Sequence, residues 1–218
     1  MLITQEREDY LKIIYKLQQS ESPVRTNSIA RAMGIEPASV TGVIKKLSEI
    51  KLLDYRPYKG VTLTPAGEKV ALEVIRHHRL IELYLVEALG YSWDEVHDEA
   101  EHLEHVVSDR FEDRIAEMLG HPELDPHGEP IPTKDGVIAE TSTQALSSLS
   151  AGDRAVISRV EDEDGDLLRY LAQLNLRPGA SVEVLSVEPY GGSIHVRVDG
   201  KSETVGQEAA DGVFVDLE

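Results

Sequence analysis

Six residues carry the donor types that bind a divalent cation: His97, Glu101, Glu104 and His105, behind a second pair, His78 and Glu82. At 3.6 residues per turn, offsets of four, seven and eight place the first four on one helical face, and the i,i+4 spacing does the same for the pair. Imidazole nitrogens and carboxylate oxygens gathered in this way form a metal site. The chain contains no cysteine, so thiolate ligands and disulfides are excluded and coordination falls to oxygen and imidazole. The competing explanation is an acidic, solvent-facing helix with scattered histidines. His102 fits that explanation, because it points away from the stripe, and His77 cannot face the same site as its neighbour His78. The zinc-protease motif HExxH does not occur, since the sequence here runs HDEAEHLEH.

Two helices must carry these donors. Leu72, Ile75, Leu80, Leu83, Tyr84, Val86 and Leu89 recur at helical spacing and make a helix more apolar than its length requires, which implies packing against a second copy of the chain. Gly90 and Tyr91 end it. Ser92 offers an N-cap for the next helix, with Glu95 placed as in a capping box.

Upstream, Tyr10, Leu11, Ile14, Tyr15 and Leu17 give an amphipathic first helix that Pro23 terminates. The segment from Thr26 to Leu53 then reads as a short helix around Asn27 to Met33, a turn at Gly34-Ile35-Glu36, and a longer helix from Pro37 to about Ile50. Proline suits that first helical position because its missing N–H is not needed there. Ile29, Ala30, Met33, Val40, Val43, Ile44 and Leu47 supply a shared core. The stretch from Leu52 to Leu63 follows as two short strands around a Pro and Gly turn, and Thr64-Pro65 starts another helix. Two helices joined by a turn and followed by a hairpin make a winged helix-turn-helix, a fold that places one helix in the DNA major groove. Ser39, Thr41, Lys45 and Lys46 on the second helix, Thr26 on the first, and Arg56 and Lys59 on the hairpin are the candidate DNA contacts.

The net charge of −18 is distributed unevenly. Residues 1–75 hold 11 Lys+Arg against 9 Asp+Glu, whereas residues 76–218 hold 11 against 31. The first part is therefore compatible with phosphate, although a balance of +2 does not establish it. The acidic remainder repels DNA and attracts divalent cations. A hydrophobic content of 41% is ample for real cores. No stretch approaches the roughly 20 apolar residues of a membrane span, and the charged N-terminus lacks a signal-peptide core. A cytoplasmic location is expected.

From His121 to about Ser150 the chain is rich in Pro, Gly, Ser and Thr and reads as a linker. Beyond it, AGDRAVISRV, ASVEVLSVEP and SIHVRVDG alternate as strands around a short helix from Leu167 to Leu174, giving a small β-barrel. The expected class is α+β: a winged helix-turn-helix (1–75), a helical metal-binding and dimerisation domain (76–120), a linker (121–150) and a barrel domain (151–218).

The run HRLIELYL followed by VHDEAEHLEHVVSD, with the winged helix before it and EPIP after it, resembles the diphtheria-toxin-repressor (DtxR) family of metal-responsive regulators over nearly the whole chain. The resemblance implies two metal sites per protomer. His78, Glu82 and His97 would form an ancillary site; Glu101, Glu104 and His105 would form most of a primary site, completed by Asp9 of the first helix. Iron-responsive relatives have Met and Cys where this chain has Asp9 and Glu101, so the ligand set looks like the manganese-responsive (MntR) branch. Extra hard oxygen donors suit Mn²⁺ and Fe²⁺ better than softer, later metals. That branch has a second acid where this chain has Lys12, and a lysine there disfavours a two-metal cluster of the same form. The resemblance also makes the barrel an SH3-like, FeoA-type domain, which in some relatives lends an oxygen ligand to the ancillary site. The acidic run Glu161-Asp162-Glu163-Asp164 occupies the matching region, and Asp164 is the expected ligand.

The expectation is thus a homodimeric repressor of metal-homeostasis genes that binds a double-stranded DNA operator in response to Mn²⁺, with Fe²⁺ as the alternative, and is not an enzyme. Two rivals come from other classes. A winged-helix regulator answering to an organic ligand would be indifferent to chelator. A di-metal carboxylate enzyme could use Glu99-x-x-His102, but it needs a second such helix, and none is present.

Overall fold

The computed structural model describes residues 3–142, 144–162 and 164–218. They form two compact units. The first comprises residues 1–77, 104–107 and 132–137, and the second comprises 78–103, 108–131 and 138–218.

In the first unit, α1 (Gln5–Gln18), α2 (Thr26–Ala32) and α3 (Pro37–Glu49) precede a hairpin of β1 (Leu53–Arg56) and β2 (Gly60–Leu63). The hairpin pairs Leu53 with Leu63 and Arg56 with Gly60. Tyr10, Leu11 and Ile14 of α1, Ile29 of α2, and Val40, Ile44 and Leu47 of α3 are buried together with Leu53 and Val61. The i, i+4, i+7 spacing on α3 puts Val40, Ile44 and Leu47 inside and leaves Ser39, Gly42, Lys45 and Lys46 outside. Pro37 stands at the first turn of α3, and Thr64 caps α4 (Pro65–Leu89) by accepting the Gly67 N–H at 3.1 Å. This is the expected winged helix-turn-helix.

The boundary between the units falls inside α4, between His77 and His78. In the second unit, Leu80 of α4 packs with Ile115 and Ala116 of α6 (Asp109–Met118) and with Ile131. The intervening α5 (Val96–Leu103) is shorter than the donor stripe predicts, with Glu104 and His105 in the turn beyond its end. Its start also differs from expectation. The Ser92 hydroxyl donates to the Glu95 carboxylate at 2.7 Å before the helix begins, so the two side chains satisfy one another and not the helix N–H groups.

The barrel part of this unit is an antiparallel sheet in the order β6-β5-β4-β3-β7, with strands β3 (Arg154–Val160), β4 (Ser181–Val187), β5 (Ile194–Val198), β6 (Lys201–Val205) and β7 (Val213–Leu217). Helix α7 (Gly165–Gln173) buries Leu168 and Leu171 against it, and α8 (Gln207–Asp211) precedes the last strand. Three of the strands match the sequence reading. KSETV and VFVDL are too short for a decisive alternation and find their place only through pairing with β5 and β3. In the stretch read as a linker, Asp125, His127, Ile131, Leu146 and Leu149 are buried. Among the described residues no helix is long and apolar enough to cross a membrane.

Candidate metal centres and nucleic-acid interface

The first unit brings Asp9, Glu104 and His105 together, with one donor atom of each within 4.8 Å of the others. Asp9 lies half-buried in the N-terminal half of α1, next to the inward-facing Tyr10 and Leu11. Glu104 and His105 arrive from the turn after α5, whose unpaired carbonyls need donors. His77 supplies one, its Nδ1 donating to the Glu104 carbonyl at 3.1 Å. The His105 ring is 6% exposed and stands between two acids. Its Nδ1 donates to Glu8 Oε2 at 2.7 Å, which in the neutral imidazole leaves the Nε2 lone pair aimed at Asp9 Oδ1, 2.8 Å away, and at Glu104 Oε1, 3.3 Å away. A carboxylate behind an imidazole in this way fixes its tautomer and strengthens it as a ligand. Glu104 is completely buried, and the ammonium of Lys12, itself 6% exposed, lies 2.5 Å from its Oε1. A cation built into α1 therefore already sits on one of the acids.

The second unit holds a larger nest. Glu82, on the buried face of α4, is fully enclosed, and among the described residues neither of its oxygens receives a hydrogen bond of good geometry. Around Oε1 stand His78 Nε2 at 3.0 Å and His97 Nδ1 at 3.5 Å, and these two ring nitrogens are 3.3 Å apart. On the other side, His127 Nδ1 lies 3.9 Å from Oε2. His127 Nε2 donates to the Trp93 carbonyl at 2.8 Å, which orients the ring with its Nδ1 facing Glu82. Two overlapping groups of converging donors result, one of His78, Glu82, His97 and Asp162, the other of Glu82, Asp125, His127 and Asp162.

These acids titrate apart. Burial alone would raise the Glu82 carboxyl, but the imidazoles of His78, His97 and His127 outweigh it and hold the group well below the usual carboxylate range. Burial, and then the charge of Glu82, push the Asp125 carboxyl well up, against the opposing pull of Arg79. The turn that presents Asp125 and His127 is fixed locally. Asp125 Oδ1 accepts the N–H groups of His127 and Glu129, and the Val160 N–H of β3 donates to the His127 carbonyl. Gly128 permits this docking: its φ is +85°, and a Cβ there would lie 2.1 Å from the Ser158 carbonyl oxygen. The Trp93 ring stacks on His127 with centroids 5.6 Å apart, and Arg177 covers the indole at 4.9 Å.

The expected donor stripe is therefore divided between the units, with His97 and Glu101 in the second and Glu104 and His105 in the first. Glu101 Oε1 lies 3.8 Å from His97 Nε2. Asp164 caps α7, accepting from the Asp166 and Leu167 N–H groups, and it is Asp162 that joins the nest. The run's third member, Glu163, lies outside the described residues. Sequence reasoning missed Asp125, His127, Asp162 and the supporting Glu8. The available signal was DPHG, two ligand-type residues around a turn-forming proline in a segment whose composition reads as a linker.

Of the candidate DNA contacts in the first unit, Ser39, Lys45, Lys46, Arg56 and Lys59 are exposed, and Thr26 and Thr41 are half-buried. Among the described residues none of these four cations is held in an ion pair. The hairpin tip adds Tyr58, wholly exposed at a φ of +63°.

Residues 2–61 match the family described as iron dependent repressor, N-terminal DNA binding domain; residues 64–133 match iron dependent repressor, metal binding and dimerisation domain; and residues 144–217 match the FeoA domain. The chain is 31% identical to the iron-dependent repressor IdeR of Mycobacterium leprae, over 96% of each protein. It is 36% identical to the HTH-type transcriptional regulator MntR of Oceanobacillus iheyensis, over 54% of this chain and 80% of that one. A solved manganese-dependent transcriptional repressor in complex with manganese superposes with a TM-score of 0.91 at 40% identity, over 97% of this chain and all of the other. ScaR with bound Cd²⁺ superposes with a TM-score of 0.82 at 35% identity, over 96% and 98%.

Proposed function

Since the chain belongs to the diphtheria-toxin-repressor family of metal-dependent transcriptional repressors, we propose that it is a homodimeric, Mn²⁺-responsive repressor, with Fe²⁺ as the alternative effector, acting on operators of metal-homeostasis genes. The family consists of regulators and not of enzymes.

The observation that carries the metal reading is Glu82. A carboxylate sealed from water without a well-formed hydrogen bond costs several kcal/mol, and here ring nitrogens of three histidines stand 3.0, 3.5 and 3.9 Å from it. That donor chemistry fits a divalent cation. In the second unit His78, Glu82, His97 and Asp162 would hold it, with Asp125 and His127 on the far side of the shared Glu82. In the first unit Asp9, Glu104 and His105 would do so, with Glu8 orienting His105. Glu101, expected from the family to join Glu104 and His105, remains part of the proposal. Carboxylate oxygens outnumber imidazoles in the first centre, which suits Mn²⁺ and Fe²⁺. A cation held there would supply positive charge to offset the converging carboxylates.

The consequences lie with the chain's own residues. Asp9 is rigidly joined to the DNA-reading helices, because Tyr10, Leu11 and Ile14 beside it fill the core against α2 and α3. Holding Asp9 against Glu104 and His105 would therefore fix the whole helix-turn-helix relative to residues 104–107. In a dimer this sets the spacing of two recognition helices against half-sites one helical turn apart. The dimer reading is supported by the exposed apolar side chains Leu89, Phe111, Met118 and Leu124 of the second unit. Ser39 and Thr41 would meet base edges, with Thr26, Lys45, Lys46, Arg56 and Lys59 on phosphates or groove walls.

The test is retention of sheared genomic DNA by the full chain with Mn²⁺ or with chelator. Recovery of a few palindromic sites only with Mn²⁺ is expected. Equal recovery in both conditions would favour an organic effector and end the metal reading.

A further inference from the structure

Gly42 sits in the middle of α3 and is exposed. Its backbone is outside the left-handed region that favours glycine, and a Cβ built there would meet nothing within 4 Å. At Gly67 and Gly128, by contrast, a Cβ would run into a carbonyl oxygen at 2.0 and 2.1 Å. The fold thus requires glycine at those two places and does not require it at Gly42. In a helix interior glycine is the least favourable residue after proline, so α3 carries a destabilising residue from which its own chain gains nothing. Its neighbours on that face, one turn to either side, are Ala38 and Ser39, then Lys45 and Lys46, all exposed. The bare backbone lies between the small polar side chains placed to read bases and the lysines placed to meet phosphates.

We propose that Gly42 is a positioning residue for operator binding: lacking a Cβ, it lets the α3 backbone lie directly against base-pair edges in the major groove, and so sets the depth at which Ser39 and Thr41 reach them. The inference rests on α3 being the helix that enters the groove. Close approach of backbone to a ligand is a recurrent reason for glycine where sterics within the chain do not demand it. Gly42 reads no base through a side chain; it governs whether its neighbours can.

The experiment uses the full chain with Mn²⁺ and a duplex recovered from genomic DNA by Mn²⁺-dependent retention. Gly42→Ala should raise the thermal midpoint by about 2–4 °C while weakening operator affinity about tenfold or more, and Gly42→Val should weaken it further. Opposite signs for stability and binding are what a structural role cannot produce. Unchanged or tighter binding by Gly42→Ala would overturn the proposal, as would a lowered thermal midpoint, which would give the glycine to the fold. A Lys45→Ala/Lys46→Ala double variant separates the two layers. If it too binds with unchanged affinity and salt dependence, the placement of α3 in the groove fails and the proposal falls with it; if it weakens while Gly42→Ala does not, only the proposal falls.

Discussion

Replacing Lys12 by methionine should make the metal-free protein less stable and its first centre more avid for metal. The Lys12 ammonium is 2.5 Å from Glu104 Oε1, and the two side chains are 6% and 0% exposed. Breaking a pair buried to this degree by removing one partner costs about 3–5 kcal/mol, because the remaining charge is left uncompensated. Here the remaining charge also faces Asp9. Methionine keeps the unbranched stem, so the loss is electrostatic and not a cavity. For a chain of this length, about 3 kcal/mol corresponds to a fall in thermal midpoint of roughly 6–12 °C. Saturating Mn²⁺ should restore most of that, since a divalent cation beside Glu104 provides the missing charge. The restored free energy must come from binding, so affinity at the first centre should rise about 100-fold. Calorimetric melting with Mn²⁺ and with chelator, together with a Mn²⁺ titration of wild type and Lys12→Met, reads both effects. If the metal-free variant melts with wild type and binds Mn²⁺ no more tightly, Lys12 is not the internal counter-ion and the reasoning fails.

Other consequences are separable. Asp162→Asn should lower Mn²⁺ affinity in the second unit at least tenfold, read as a weakened response of the emission of Trp93, the chain's single tryptophan, which stacks on His127; Asp164→Asn should leave that response in place and cost at most about 1 kcal/mol through a weaker α7 cap. Because Asp125 is pushed up by burial and the Glu82 charge, the folded metal-free protein keeps a proton that the unfolded chain releases above about pH 4. Its stability should therefore fall as pH rises above that point, and Asp125→Asn should flatten this part of a urea-melt series. In the presence of metal the same proton must leave, so Mn²⁺ uptake should release it and strengthen with pH, measurable by titration in buffers of different ionisation enthalpy. Lys59→Ala should weaken binding to all duplex sequences alike and reduce the log–log salt slope by about one, whereas a sequence-dependent loss would place Lys59 on a base edge.

Much of the fold is legible in short-range sequence signals. Helical spacing along α1 to α3, proline at the start of α3 and the short apolar runs around Arg56 to Lys59 identify a winged helix-turn-helix, because each is a local signal that needs no distant partner. His78 and Glu82 are one turn apart on α4, so their common direction is also local, and the His97 and Glu101 pair follows the same rule. What local spacing cannot decide is where a helix stops. The stripe runs on to Glu104 and His105 in the sequence, but α5 ends at Leu103, and the carbonyl beyond it is met by His77, a contact across 27 residues. Composition misleads in the segment from His121 to Ser150. Proline and glycine there do mark turns, yet a turn can be buried when its backbone polar groups are paired, as Asp125 Oδ1 and the His127 N–H and carbonyl are.

The sequence by itself determined the donor chemistry, the absence of thiolates, and the helices and hairpin that present His78, Glu82, Lys45 and Lys46. These follow from residue type and from periods of 3.6 and 2, which act over a few residues. Only the tertiary structure decided that Asp162 and not Asp164 reaches the nest, that Asp125 and His127 turn toward Glu82, that Glu8 backs His105, and that Lys12 lies on Glu104. Each of these is a contact between residues distant in sequence, set by how buried faces pack, and no local pattern encodes which of two nearby acids ends inside.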